Sequence, residues 1–387
     1  PLARELIQRG YEVEVLTGFP NYPSGQIYPG YRQQIWLREN LEGVPVIRVP
    51  LYANHSRSGL KRILNYMSFA TSASLIGTWL CRKADLMWVY HPPLTIGIAA
   101  WWIGLLRGIP FIYEIQDMWP ETLASTGMVS NKTALSLAGK VAKWIYSRAN
   151  AIIVISPGFK RNLIAKGVRE EKIHVIPNWA DEDIYRPVPR DQMPGDEHGL
   201  SERFNVMFTG NMGAAQALHY VIEAAKLLKD KPEIQFVFIG DGIRLPELKA
   251  QAADLPNVRF IPQQPAEKIP HFLAWADAAL VQLRNDPLFH ITIPSKTLTY
   301  LACGRPILCG VAGDGADVVR DAGAGLFYDS ENPSALVEVV KTLYSMTPAE
   351  REAMGQRGRE TFVQQYTRRV LLARYEQVFA QVAPKRR

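Results

Sequence analysis

FNVMFTGNMGAAQALHYVIEAAKLL, residues 204–228, reads as a strand, a glycine turn and a helix in succession. From Phe204 to Phe208 the run is apolar except at Asn205, the composition of a strand covered on both faces in a parallel sheet. Gly210 and Gly213 let the backbone approach a ligand, and the following helix start would offer N–H groups to a phosphate. A tight turn with glycines for steric reasons alone reads the same way, so both readings stand at this point.

The same unit recurs outward from this stretch. IQFVFIG (234–240), VRFIPQ (258–263), AALVQL (278–283), RPILCG (305–310) and AGLFYD (324–329) follow it as strands separated by helical or loop segments. An earlier series runs VEVLTG (from about residue 12), VPVIRVP (44–50), DLMWVY (85–90), FIYEI (111–115), AIIVIS (151–156) and IHVIPN (173–178). Between Asn178 and Ser201 the chain is polar and Pro-rich, with neither period. The expected fold class is therefore α/β, with two Rossmann-like doubly wound domains facing across a cleft. Its expected divisions are an N-terminal domain over 1–180, a linker over 181–203, a C-terminal domain over 204–370, and a helix over 371–387 packing back on the N-terminal domain. Pro1 opens directly into the amphipathic segment PLARELIQRG, so a native first strand is expected to be missing. Ligands of open α/β sheets sit beyond the carboxyl ends of the strands, and two such edges suit a two-substrate transfer.

With 387 residues, 47% of them hydrophobic, the chain can build two cores. Lys and Arg number 44 against 37 Asp and Glu, and the excess of +7 suits a phosphate ligand, nucleic acid or an anionic membrane. The positive residues are spread over both halves without an RNA-stacking motif or recognition helix, so no nucleic-acid partner is expected. Cys81, Cys303 and Cys309 are odd in number and lack CxxC spacing, which suggests neither a disulfide framework nor a zinc site and fits a reducing cytoplasm. No run approaches the roughly 18 apolar residues of a membrane span.

Three further elements carry chemistry. IGDGIRLPEL is a second glycine turn, with Arg244 placed to reach an anion at the same sheet edge or to lie solvated at a helix start. ITIPSKTLTYLACGRPIL (291–308) opens a helix at Pro294, Ser295 and Lys296 that stops at Gly304. A lysine in a first helical turn adds to the dipole's positive end, so a bound anion explains it better than helix stability. In the first half, His91-Pro92-Pro93 and the run Gln116 to Glu121 end two strands, where acceptor contacts and catalysis would gather. Asp117 serves there or as a helix N-cap, with Glu121 favoured in the first turn by the dipole. Gln116 cannot transfer protons as a base does. His91 either orients an acceptor or is a loop residue, and His290 has the same two readings. Asp181 and Asp183 have a spacing that can hold a metal but read better as solvated linker, so no metal is expected. Between Arg57 and Trp102, Lys61, Arg62, Arg82 and Lys83 mix with Tyr66, Phe69, Trp79, Trp88 and Trp101, which suits an anionic lipid surface or helices packed on a sheet.

TGFPNYP (17–23), LKRILNYMSF (60–69), IYEIQDMWPE (112–121), VISPGFKRNLIAKGV (154–168), VIPNW (175–179), GDGIRLPEL and PSKTLTYLACGRP come in the order and spacing of a known family. The chain resembles the retaining family 4 glycosyltransferases of GT-B fold, and within them those of bacterial O-antigen and exopolysaccharide synthesis, over nearly its whole length. The resemblance implies a nucleotide-sugar donor in the C-terminal half, a UDP-sugar in preference to a GDP-sugar, and no metal or other cofactor. It implies a polyprenyl diphosphate-linked or growing glycan acceptor and work at the cytoplasmic face of the membrane. It places Gly210, Asn211, Gly213, Gln216, Arg244, Gln263, Ser295, Lys296 and Thr299 around the donor, and Asp117, Glu121 and His91 on the catalytic side. The family's two glutamates in the third element are Ile291 and Thr299 here, and its arginine and lysine near the first glycine turn are Asn211 and Gln216. These departures look like those of fucosyl and N-acetylfucosaminyl transferases, and leave Arg244, Lys296 and backbone N–H groups to bear the diphosphate. An epimerase of nucleotide sugars on the same fold and a non-catalytic nucleotide binder are the alternative readings.

Overall fold

The computed structural model describes residues 2–22, 24–54, 59–125, 129, 131–193 and 195–384. Pro1, Pro23, Arg57, Pro194 and residues 385–387, which belong to segments read above, lie outside the described residues. The chain divides into two compact units, the first Pro1–Ile155, Lys160–Ile176 and Arg374–Arg387, the second Ser156–Phe159 and Pro177–Ala373.

The first unit holds β1 (Val15–Gly18), β2 (Leu37–Leu41), β3 (Val44–Val49), β4 (Met87–His91), β5 (Phe111–Ile115), β6 (Ala151–Val154) and β7 (Ile173–Val175). They form a three-stranded sheet in the order β1-β3-β2 and a four-stranded parallel sheet in the order β4-β5-β6-β7. Strand β2 was not foreseen, because LRENL lacks an apolar period. It exists as the outer arm of an antiparallel hairpin whose two-residue turn, Glu42 and Gly43, has φ of 51° and 87°. Positive φ at both central residues matches the right-handed twist of the flanking strands. Helices Gly59–Leu80, Ile96–Arg107 and Lys132–Arg148 cover this unit. The last of them is capped at Asn131, whose side chain accepts the Ala134 N–H at 3.0 Å.

The second unit holds β8 (Phe204–Thr209), β9 (Ile234–Ile239), β10 (Val258–Ile261), β11 (Ala278–Gln282), β12 (Ile307–Gly310) and β13 (Gly325–Phe327), all parallel in the order β10-β9-β8-β11-β12-β13. Counted within the unit this is order 3-2-1-4-5-6, the doubly wound sheet with its reversal between β8 and β11. Alternate residues serve two cores: Val206, Phe208, Phe236 and Phe238 pack on one face, Met207, Val237 and Ile239 on the other. The stretch read as linker belongs to this unit. Leu200 is fully buried in its core, and the Trp275 indole N–H donates to the Met193 carbonyl at 2.9 Å.

Helix Arg368–Val382 runs from the second unit into the first. At its start Arg368 pairs with Asp183 at 2.6 Å and Asp181 at 3.6 Å, so the two aspartates of the candidate metal spacing bond a guanidinium. Further along, Tyr375 lies edge-on to Trp88 with ring centroids 6.2 Å apart.

Candidate functional site

At the carboxyl edge of the second sheet the two glycine turns interlock. The Met212 N–H donates to the Asp241 carbonyl at 2.8 Å and the Arg244 N–H to the Met212 carbonyl at 3.0 Å. A Cβ on Gly240, where φ is 144°, would meet the Gly210 carbonyl oxygen at 2.1 Å, so no side chain fits there. A Cβ on Gly242 would meet the Met212 backbone at 2.5 Å. The glycines are thus required by close backbone approach beside the reversal between β8 and β11, where such sheets bind ligands.

Lys296 comes to this edge from the first turn of helix Ser295–Ala302. Its Nζ lies 3.7 Å from the centre of the Phe208 ring and 3.9 Å from where a Gly210 Cβ would stand. Among the described residues no carboxylate pairs with it, and burial lowers its pKa from the usual lysine value of 10.5 to about 7. A cation set over an aromatic face without a counter-ion is an incomplete electrostatic arrangement, and an anion at Gly210 completes it. The same helix carries Tyr300, fully buried, whose hydroxyl accepts the Thr209 N–H at 2.9 Å and lies 3.2 Å from Thr209 Oγ1. Tyr300 fixes the last residue of β8 before Gly210; sequence reading missed it, since a tyrosine inside an apolar helix face looks like ordinary core.

The other donor-side residues divide. Arg244 is exposed and pairs with Glu247 at 2.8 Å, three residues on, while lining a small cleft with Gly213 and Ala214. Gln216 turns inward, its carbonyl accepting the Gly213 N–H at 2.9 Å, so that donor is occupied. The helix after this turn starts only at His219, behind a 3-10 turn at Ala214–Gln216, and its Tyr220 and Val221 N–H groups are already bonded at 3.2 and 3.0 Å. The expected free helix start is therefore displaced from Gly210. Asn211, Ser295 and Gln263 are exposed. Thr299 bonds back to the Ser295 carbonyl at 3.4 Å. Ile291 packs on Gly158, whose missing Cβ would stand 2.5 Å from the Ile291 Cβ, and its carbonyl accepts the Ser156 hydroxyl. Asp314, buried at the first position of helix Asp314–Asp321, accepts the Gly158 N–H. His290 bonds Asn285 at 2.8 Å.

In the first unit His91 ends β4 and Gln116 follows β5, with the Gln116 N–H donating to the His91 carbonyl at 3.3 Å. His91 is fully buried between Tyr113 and Trp119, ring centroids 5.7 and 5.3 Å away, and burial lowers its pKa to about 3. Neither ring nitrogen has a partner among the described residues, and a fully enclosed neutral imidazole does not contact an acceptor in this conformation. Helix Glu121–Ser125 begins four residues past Asp117, so Asp117 is not its N-cap; it is half-buried, and burial raises its pKa. Glu121 pairs with Lys166 at 2.6 Å. Glu114, in the quoted IYEIQDMWPE but assigned no role, is the unit's buried acid. It accepts from Trp88 Nε1 at 2.7 Å, Gln116 Nε2 at 2.6 Å and the Tyr375 hydroxyl, while burial lifts its pKa to about 7. Among the described residues no group of three or more His, Cys, Asp or Glu is placed to hold a metal.

The order of the second sheet and the interlocked glycine turns define a doubly wound α/β protein, with a lysine at one sheet edge that no described carboxylate pairs. Residues 1–179 match the family described as glycosyl transferase 4-like domain, and residues 196–361 match glycosyl transferases group 1. A glycosyl transferase of Escherichia coli named for colanic acid biosynthesis, WcaI, is 30% identical over 314 residues, 77% of this chain and 75% of its own length. The glycosyltransferase WbjE of Pseudomonas aeruginosa is 26% identical over 332 residues, covering 82% of this chain and 81% of that one. The crystal structure of Anabaena HepE in complex with UDP shares the fold at a TM-score of 0.70, with 15% identity over 88% of this chain and 87% of that one. The chain belongs to this glycosyltransferase family and has its GT-B type of fold.

Two pH effects follow. Because the folded pKa of Lys296 is lowered, the unfolded chain holds a proton that the folded chain has shed between about 7 and 10.5, so stability contributed by this group rises with pH across that window. Lys296→Met should flatten that rise in urea unfolding measured from pH 7 to 10; an unchanged slope would contradict the buried ammonium. Glu114 has the opposite sign. Its folded pKa is raised, so its contribution is complete below the usual 4.5 and lost as pH climbs through about 7. Glu114→Gln should remove that decline between pH 4.5 and 7 in the same measurement.

Proposed function

We propose that the chain transfers a sugar from a nucleotide-sugar donor, a UDP-sugar in preference to a GDP-sugar, to a polyprenyl diphosphate-linked or growing glycan acceptor in bacterial surface polysaccharide synthesis. The donor sugar is of the fucosyl or N-acetylfucosaminyl type. Transfer retains the anomeric configuration and needs no metal. The observation that carries the reading is Lys296, a part-buried cation over the Phe208 ring, beside Gly210 and without a carboxylate among the described residues. The HepE structures in complex with UDP and with UDP-glucose support a nucleotide-sugar partner on this fold.

In this reading the leaving diphosphate gains negative charge in the transition state and itself takes the acceptor proton on the same face of the sugar. Lys296, neutral to half-charged near pH 7 when the site is empty, becomes fully cationic beside that charge. Asp117 is auxiliary, and Gln116, fastened to Glu114, presents no base. The expected outcome is a mass-labelled glycan product with one member of a donor panel. Lys296→Ala should weaken donor binding by roughly 10- to 100-fold, the range for a hydrogen bond to a charged group of about 1.5–3 kcal/mol. Unchanged donor affinity would remove the donor site from this edge; an isomerised nucleotide sugar without acceptor transfer would favour the epimerase.

The enzyme works peripherally at the inner face of the cytoplasmic membrane in the same reading. Along helix Gly59–Leu80, Leu60, Ile63, Leu64, Met67, Leu75 and Trp79 are exposed, Trp79 to 86%, with Lys61 among them. Spacings of three and four put these side chains on one helix face, as an interfacial helix requires. Among the described residues no helix is long and apolar enough to cross a membrane. The chain should float with anionic vesicles, and Leu64→Glu with Trp79→Glu should leave it in the soluble fraction; native chain that stays behind in vesicle flotation speaks against attachment.

A further inference from the structure

A second unpaired cation lies at the opposite edge of the second sheet. Arg305 follows helix Ser295–Ala302 and precedes β12, so it stands at the amino end of a parallel sheet whose carboxyl end carries Lys296. Its backbone N–H donates to the Tyr300 carbonyl at 3.1 Å. Its guanidinium makes no hydrogen bond or ion pair with any described residue, and Nε is buried without a partner. An arginine carries five donors and does not deprotonate, so this arrangement leaves a strong, fixed donor set unused.

Arg305 lines a cavity of about 570 Å³ together with Arg190, Arg351, Asp277 and Glu352. Asp277 is already engaged: it accepts the Asn205 N–H at 3.0 Å and Arg190 Nη2 at 3.2 Å, and reaches Arg351 Nη2 at 3.8 Å. Arg190 is held further by the Ala274 carbonyl at 2.9 Å and by the Trp275 ring at 5.4 Å, and Arg351 by the Leu343 carbonyl at 3.4 Å. Two of the three guanidiniums are therefore fixed in place and the third is left open. Three guanidiniums against two carboxylates leave one positive charge over. The remaining walls include Val188, Pro187, Pro306 and Pro348, which suit an organic body and not a bare ion.

We propose that this cavity binds the phosphate monoester of a small organic metabolite, with Arg305 forking the phosphate and Arg190 and Arg351 flanking it. Bidentate guanidinium contacts favour phosphate geometry. The site lies beyond the amino ends of the strands, separate from the edge that takes the donor. Helix Ser295–Ala302 connects the two, with Lys296 in its first turn and Arg305 three residues past its last.

The test uses phenyl phosphate as probe, titrated calorimetrically into the full chain and its variants. Saturable binding is expected in the native chain and, undiminished, in Lys296→Ala. Arg305→Gln should weaken it at least tenfold, and Arg305→Lys should restore part of the loss. Binding abolished by Lys296→Ala would place the probe in the donor site and overturn the proposal. So would binding indifferent to Arg305→Gln, or none in the native chain at millimolar probe. Should the Arg305 variants fail to fold, native crystals soaked in 4-bromophenyl phosphate give the answer: a bromine anomalous peak in the cavity with the phosphate within hydrogen-bond distance of the Arg305 guanidinium supports the site, and an empty cavity overturns it.

Discussion

The carbonyl oxygen of Gly210 occupies the space that any side chain at position 240 would need, 2.1 Å from where its Cβ would stand. That close approach lets the ends of β8 and β9 meet through backbone alone, so the edge beside the sheet reversal is walled by peptide groups. It also leaves the flank of Gly210 open to the Lys296 ammonium. Tyr300 braces the arrangement from beneath by holding Thr209, the last residue before the turn. Glycine here is set by volume as well as by φ, and the cation, the turn and the brace come from three separate stretches of sequence.

Electrostatics gives that edge its direction. A cation partly withdrawn from water is costly unless paired, and here the pairing is with a ring face, which compensates only partly. At the two positions where the resemblance implies glutamates, Ile291 packs on Gly158 and Thr299 bonds its own helix, so neither returns negative charge to the lysine. The first unit keeps the mirror case. Glu114 is an acid in an apolar strand, yet Trp88, Gln116 and Tyr375 all donate to it. Both groups are brought to about 7 by burial, one from above and one from below. The acid is satisfied within its unit, whereas the base has no carboxylate beside it among the described residues.

The strands of the second unit were legible because doubly covered parallel strands are continuous apolar runs, and FNVMFTG and IQFVFIG are both bounded by glycine. Strand β2 was not, since LRENL is held by hairpin geometry at Glu42 and Gly43 and not by an apolar face. The place of Lys296 in a first helical turn was legible from the Pro294 and Ser295 ahead of it. Tyr300 and Glu114 were hidden, because their importance lies in partners far along the chain: 91 residues separate Tyr300 from Thr209, and 26 separate Glu114 from Trp88. Gln216 was read outward as a ligand donor, but one carbonyl contact to Gly213 turns it inward. Periodicity reports which face a residue takes, and does not report which way a polar side chain closes its last hydrogen bond.

The net charge of +7 acquires a location in these terms. Many of the cations are neutralised locally, Arg244 by Glu247, Lys166 by Glu121, Arg284 by Asp286 and Arg368 by Asp181 and Asp183. Such pairs near a surface are worth little and ask for nothing further. Lys296 and Arg305 differ because each is partly withdrawn from water without a carboxylate in contact, and withdrawal from water raises the cost of an absent counter-ion. Lys296 lies in the first turn of a helix of eight residues, about 12 Å long at 1.5 Å per residue, and Arg305 three residues past its last, so one short element sets the two cations at opposite ends of the same sheet.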